Sequence, residues 1–335
     1  MSDAHEEVQM GDGLDIVGDI HGQLDALIRL GDLLGYDVHD GWSHPEQRKL
    51  VFIGDLIDRG PDSLGVSQLV LSLCRSGRAL CLMGNHEFNL IEWRHGRTSA
   101  KHSNKPTIED VERRAQAWHP VLDFFETLPL ALELEDLRIT HAVWHARCID
   151  ELAPVLSTPP PGVELDARWA SMIKLYSPYE NGALRSGVPT HPFEDQWEKS
   201  IDILLKGYET KALVPFTDND GRERDMIRTQ WWLPQHAEVP KDRRIIFGHY
   251  WNMPPIAGRH DAFVPPHPSG HPDLRAWFDA HQTAVASKGR ISVPKSVPAV
   301  CVDYNGVVRA LGGRPCAGAY RYPEAEVMWA VSPMS

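Results

Sequence analysis

Apolar positions along the chain follow two alternating rhythms. Compact apolar runs end in glycine, and between them apolar residues recur at helical spacing. Leu14-Asp15-Ile16-Val17 runs into Gly18, and Leu50-Val51-Phe52-Ile53 into Gly54. Ala79-Leu80-Cys81-Leu82-Met83 runs into Gly84, and Ile245-Ile246-Phe247 into Gly248. Short β-branched and apolar runs bounded by glycine predict buried strands. Apolar residues at 24, 27, 28, 30, 33 and 34 predict a helix over 23–34, and the amphipathic stretch 63–76 predicts a second. A strand, a helix and a strand over 49–89 make a βαβ unit, whose strands are parallel neighbours.

Further along, 88–95 continues as helix. The stretch 107–127 is helical, with Pro120 as the expected kink or break. Two alternating runs, 130–135 and 136–144, predict strands joined by a tight acidic turn; the second carries His141 and His145 near its end. From 150 to 240 the character changes to Pro, Gly, Trp and charge, with helical fragments near 163–176 and 194–206. Trp169, Trp197, Trp231 and Trp232 need something to pack against, so this region reads as an insertion or cap within a domain spanning 12–331. A helix is expected at 272–284. Three strand-like segments close the chain: AVCVDY, VVRALGG and EVMWAV.

Composition narrows the possibilities. The net charge is 34 − 46 = −12, which argues against a protein that grips nucleic-acid backbones, though not against a small nucleotide. No apolar run reaches membrane-spanning length. The start, MSDAHEEVQMGDG, is polar and acidic, unlike a secretory leader. Five cysteines without CxxC spacing read as reduced residues of a cytoplasmic protein. Oligomeric state is not legible.

The chemistry sits where the apolar runs stop. Polar groups at the carboxyl ends of parallel strands project into the crevice where α/β proteins place their sites. The strand ends deliver Asp19 with His21, Asp55 with Asp58, Asn85 with His86, a histidine at 141 or 145, and His249. Asp55 and Asn85 are expected across one crevice, with His86 beside them, a set suited to a hard metal ion. One such signature is weak; five in this order are not a chance occurrence. The motifs GDIHG at 18–22, GDLIDRG at 54–60, GNHE at 84–87, the strand-end His141 and GH at 248–249 resemble those of the calcineurin-like metallophosphoesterases. The resemblance covers about 12–149 and 243–331. It is strongest to the bacterial branch of polynucleotide kinase-phosphatases and symmetrical diadenosine tetraphosphatases, and extends to Ser/Thr protein phosphatases.

That resemblance implies a four-layer α/β/β/α sandwich of two mixed sheets flanked by helices, with an inserted cap. It implies a phosphoesterase with two divalent ions, Mn first, with Fe, Zn or Ni as alternatives, in which a metal-bridging hydroxide attacks phosphorus in line. Asp55 would bridge the ions, Asp19 and His21 would complete one site, and Asn85, His141 and His249 the other. His86 would be the general acid, Asp58 its partner, and Arg59 the grip on phosphate oxygens. His141 is preferred to His145 by its strand register and the small Ala142 after it. Met83 stands where protein phosphatases carry Arg, which favours a small nucleotide-like or dinucleoside polyphosphate substrate over a phosphoprotein. A Ser/Thr phosphatase-like enzyme and a non-catalytic metal-binding scaffold are the alternatives. Asp303 and Asn305 read as turn formers, Arg185, Arg222 and Arg224 as solvated surface, and the tryptophans as cap packing in preference to a nucleobase platform.

Overall fold

The computed structural model describes residues 13–96, 104–152, 174–176, 179–180, 183–184, 197–207, 209–217, 223–228, 231–232, 242–250, 290–295, 297–304 and 316–331. The first half runs β1 (Leu14–Val17), α1 (Leu24–Leu34), β2 (Lys49–Phe52), α2 (Ser63–Arg75), β3 (Ala79–Cys81) and α3 (Asn85–Arg94). It continues through α4 (Lys105–Arg113), α5 (Ala115–Phe125), β4 (Ala131–Glu133), β5 (Leu137–Thr140) and α6 (Ala146–Leu152). The second half holds β6 (Lys174–Tyr176), β7 (Tyr179–Glu180), β8 (Ala183–Leu184), α7 (Trp197–Lys206), β9 (Glu209–Thr217) and β10 (Glu223–Arg228). The chain then returns to the core through β11 (Arg244–Phe247), β12 (Arg290–Ser292), β13 (Ala299–Cys301), β14 (Cys316–Tyr322) and β15 (Glu326–Val331).

Two mixed sheets form the centre. One has the order β12-β15-β14-β1-β2-β3, the other β13-β11-β5-β4-β6. β1, β2 and β3 are parallel, as the βαβ reading requires, and β11 lies parallel to both β5 and β13. The period-two pleat sorts the side chains. Leu14, Ile16, Val51, Ile53, Leu80 and Leu82 face Leu132, Leu137, Ile139, Ile246 and Val300 between the sheets. Val17, Phe52 and Cys81 turn outward against Leu27, Leu30 and Val70 of α1 and α2. On the other side, the α7 carbonyl of Leu204 accepts from Ala142 N–H, and Trp231 packs on Phe247 of β11 at 5.0 Å between ring centroids. The result is the α/β/β/α sandwich with flanking helices.

Local chemistry sets the element ends. Gly35 takes the left-handed conformation (φ 92°) that stops α1, its N–H returning to Gly31 and Asp32 carbonyls. Asp62 caps α2 by accepting from Gly65 N–H at 2.8 Å, a contact worth about 1 kcal/mol. The helical stretch expected over 107–127 divides in two, but at Arg114 and not at Pro120, which lies inside α5. Arg114 adopts φ −119°, ψ 40°, which lets α5 turn Trp118, Val121 and Phe125 into the core.

Two strands of the six-stranded sheet were not legible, nor were β6 to β10 of the 150–240 region. β14, CAGAYRY, is built of small residues with little strand preference, yet it pairs with both β1 and β15. It is fastened by a buried charge: Asp15 of β1 accepts from Arg321 of β14, from Arg48 and from Tyr36 Oη. β12 is the other, an edge strand of three residues. The VVRALGG segment, the expected helices near 163–176 and 272–284, and Trp169, Arg185, Arg222 and Asn305 lie outside the described residues, apart from 174–176, which is strand β6. The fragment expected near 194–206 is α7. None of the five cysteines is in a disulfide, and no helix among the described residues is long and apolar enough to cross a membrane.

Candidate metal centre

The carboxyl ends of β1, β2, β3, β5 and β11 meet, and each delivers what its motif carries. Asp19, His21, Asp55, Asp58, Asn85, His86, His141 and His249 are all buried. Convergence this tight depends on backbones approaching without side chains between them. A Cβ on Gly54 would lie 2.3 Å from Gly84 N, and one on Gly248 would lie 2.3 Å from Asp19 Oδ1. The cost of the arrangement is visible in the backbone: His21, Asp55, Asp58, Arg59 and His249 all have positive φ, between 47° and 69°. Non-glycine residues there are strained by roughly 1–3 kcal/mol each, and such residues cluster at functional sites.

Asp55 is the hub. Its Oδ2 lies 3.4 Å from His21 Nε2 and 3.9 Å from His86 Nε2, and its Oδ1 lies 3.6 Å from His141 Nε2. His21 Nε2 is also 4.0 Å from Asp19 Oδ2, and His141 Nε2 is 3.1 Å from Asn85 Oδ1. His249 joins Asp55 and His141 in one group of donor atoms, and its N–H donates to Asp19 Oδ1 at 3.3 Å. Ligand atoms sharing an ion at about 2.0–2.2 Å stand roughly 3–4 Å apart, so these spacings fit. Two groups, His21-Asp55-His86 and Asp55-His141-His249, can each hold an ion, with Asp55 common to both.

Electrostatics and tautomers point the same way. His141 Nδ1 donates to Ile53 O at 2.8 Å, which turns its Nε2 toward the oxygens of Asn85 and Asp55. His21 is fixed alike by Ile57 O at 2.8 Å. Acceptors aimed at one another from several sides are stable around a cation. Burial, Asp303 and Asp55 push the Asp19 carboxyl well above the usual carboxylate range. Burial also works against the charge of Asp55, but the imidazoles of His86, His141, His21 and His249 outweigh it and hold its pKa low. Burial and the Arg59 guanidinium hold His21 well below ordinary histidine, in the neutral form a metal needs.

His86 differs from the others. Its Nδ1 is 2.5 Å from Asp58 Oδ2, its N–H donates to Asp55 Oδ1 at 3.0 Å, and its Nε2 remains on the crevice side. Burial opposes its charge, yet Asp55 and the Asp58 hydrogen bond prevail and raise its pKa. Arg59, half-buried, places Nη1 2.7 Å from His21 Nε2 and Nη2 3.4 Å from His86 Nε2. His145 stands apart: its Nδ1 accepts from Cys148 N–H at the start of α6.

Four participants escaped the sequence reading. Glu87 accepts from Asp55, Leu56 and Gly84 N–H at 2.8, 2.9 and 3.0 Å, tying the β2 and β3 loops together. Burial and the nearby Asp55 raise its pKa to about 7. Asn104 and Thr107 donate to Asp58, from a helix start with no motif of its own. Asp303, expected as a turn former, is fully buried near Asp19. Glu87 alone carried a signal, the last letter of GNHE. Trp231 and Trp232 pack on Phe247 and, for Trp232, on Tyr250 beside His249, so both are packing residues as expected.

Part of the chain is similar to known proteins. Residues 14–171 match the calcineurin-like phosphoesterase profile. The chain is 34% identical over 133 residues to a bis(5'-nucleosyl)-tetraphosphatase PrpE [asymmetrical] of Oceanobacillus iheyensis, covering 38% of this chain and 53% of that one. It is 37% identical over 137 residues to the protein of the same name from Halalkalibacterium halodurans, covering 38% and 56%. The chain thus spans about half the length of the curated relatives it matches. A solved protein serine/threonine phosphatase from Saccharomyces cerevisiae aligns with 98% of this chain and 82% of its own, at 14% identity and a TM-score of 0.47. Residues 14–171, which hold every motif except the final GH, are thus the part of the chain that is similar to the calcineurin-like phosphoesterases.

Proposed function

We propose that this chain hydrolyses phosphate esters at a two-metal centre, with Asp55 shared, Asp19 and His21 on one ion, and Asn85, His141 and His249 on the other. The observation that carries the reading is the ring of buried oxygen and nitrogen donors 3.1–4.0 Å apart around Asp55. Two divalent ions supply a nucleophile at neutral pH and neutralise charge on the phosphoryl oxygens; Mn is the first choice for mixed N and O donors, with Fe, Zn or Ni next. His86 is the general acid. The bond from phosphorus to the leaving oxygen breaks with its electron pair on that oxygen, which takes the proton from His86 Nε2, while a water oxygen becomes the new ligand of phosphorus and gives its proton up to solvent, from which His86 is reprotonated. Asp58 fixes the His86 ring through Nδ1 and stabilises its charged form. Arg59, already poised between His21 and His86, turns its fork onto phosphate oxygens. Glu87 holds the Asp55 backbone in its strained conformation.

The substrate class we favour is a small nucleotide-like or dinucleoside polyphosphate ester, supported by the printed name of the curated relatives. The 150–240 region serves as a cap. Its tryptophans 231 and 232 seat it on the aromatic residues next to His249. Cysteines outside disulfides suit a reducing, cytoplasmic setting. The test is hydrolysis of p-nitrophenyl phosphate, bis(p-nitrophenyl) phosphate, diadenosine tetraphosphate, nucleoside monophosphates and a phosphopeptide with added Mn, with and without chelator. Chelator-sensitive turnover, fastest on diadenosine tetraphosphate, is expected. Turnover fastest on the phosphopeptide would replace the substrate class, and no metal-dependent turnover on any ester would leave a metal-binding scaffold.

A further inference from the structure

We propose that Asn104 and Thr107 are positioning residues that act on His86 through Asp58. This rests on the reading of His86 as the general acid. Asp58 Oδ2 accepts from His86 Nδ1 and from Asn104 Nδ2, both at 2.5 Å, and Oδ1 accepts from Thr107 Oγ1. The Asp58 N–H donates to Ser63 Oγ at 2.9 Å, so backbone and carboxylate are held independently. Asp58, Asn104 and Thr107 are 2%, 2% and 4% exposed. A carboxylate is free to rotate about its last bond, and a single histidine contact does not fix the plane of either group. Donors on both oxygens do, and a positioned acid is worth more than a mobile one.

The clamp is also anchored. Asn104 precedes α4 and Thr107 lies in its first turn, while Ile108 and Val111 of that helix are buried in the core. α4 packs on α5, which packs on α2, the helix after the Asp58 loop, and on α3, whose first turn carries His86. The two residues are therefore set by the same framework that sets the acid.

The experiment compares phenyl phosphate, a poor leaving group, with p-nitrophenyl phosphate, a good one, in Thr107→Val, Thr107→Ser and Asn104→Ala with Mn present. Thr107→Val and Asn104→Ala are expected to lose about tenfold in kcat on phenyl phosphate and about twofold on p-nitrophenyl phosphate, because only the former needs the proton. KM and bound metal should stay unchanged, and Thr107→Ser should recover the wild-type ratio. In a His86→Asn background, Thr107→Val should add nothing. A second readout needs no turnover: the low-field proton resonance of His86 Nδ1–H, assigned by its absence in His86→Asn, should persist in Thr107→Ser and shift or broaden in Thr107→Val. Equal losses on both esters, loss of metal, or an unmoved resonance with an unmoved ratio would overturn the inference while leaving the phosphoesterase reading in place. Wild-type protein inactive on both esters would overturn the two together.

Discussion

Asp55→Asn is expected to reduce turnover of every ester by more than about 10³-fold, the scale of losing metal-based charge neutralisation. The reason is geometric before it is electrostatic. Both carboxylate oxygens are committed, Oδ2 toward His21 and His86, Oδ1 toward His141 and the His86 N–H. An amide keeps one oxygen and puts a neutral N–H₂ donor where the other stood, so one side of the hub repels a cation instead of holding it. The native carboxylate is kept ionised at neutral pH by the surrounding imidazoles despite its burial. Removing the charge therefore strips the centre of its main source of attraction for two cations. Mn should raise the melting temperature of the wild-type protein, because a ligand that binds only the folded state stabilises it, by about 2.7 kcal/mol at a hundred times Kd. It should leave the melting temperature of Asp55→Asn unmoved. Retained thermal response with activity within tenfold of wild type would remove Asp55 from the bridging position.

His86→Asn is expected to cost about 10²–10⁴-fold on esters with poor leaving groups, the usual worth of general acid catalysis, with metals still bound. The loss should shrink for p-nitrophenyl phosphate, whose leaving group departs with little help from a proton. The geometry allows a rival: His86 Nε2 stands 3.9 Å from Asp55 Oδ2, close enough for His86 to join His21 and Asp55 on one ion. The acid reading is preferred because the Nδ1 partner of His86 is the Asp58 carboxylate, which stabilises a charged ring, whereas the Nδ1 partners of His21 and His141 are neutral carbonyls. Asp58→Asn should show the same leaving-group trend more weakly, and the two changes should not add, since both serve one proton transfer. Equal losses for good and poor leaving groups, together with lost metal, would make His86 a ligand.

The two outcomes trace back to what the chain makes legible. Strands that end in glycine and a ligand-type residue could be read because a single local pattern fixes both burial and chemistry. That pattern placed β1, β2, β3 and β11, and with them Asp19, Asp55, Asn85 and His249, while β5 and His141 were read from the alternation of 136–144. His141 was preferred to His145 by its strand register and the small Ala142 after it, and β5 ends at Thr140, directly before His141. What stayed hidden depends on partners distant in sequence. β14 is a strand because β1 and β15 offer it edges and Arg321 meets Asp15, not because CAGAYRY prefers extension. Asn104 and Thr107 look like any helix start until Asp58, 46 and 49 residues earlier, is seen between them. The break at Arg114 was misplaced onto Pro120 because proline is the louder local signal, while the turn itself is imposed by packing of α5.

The central claim is a two-metal centre sharing Asp55, and the most direct measurement is the metal content of the chain after reconstitution with Mn and removal of excess ion. Two ions per chain, lost together on chelation with loss of ester hydrolysis, is the predicted result. One ion or none in active protein would contradict it.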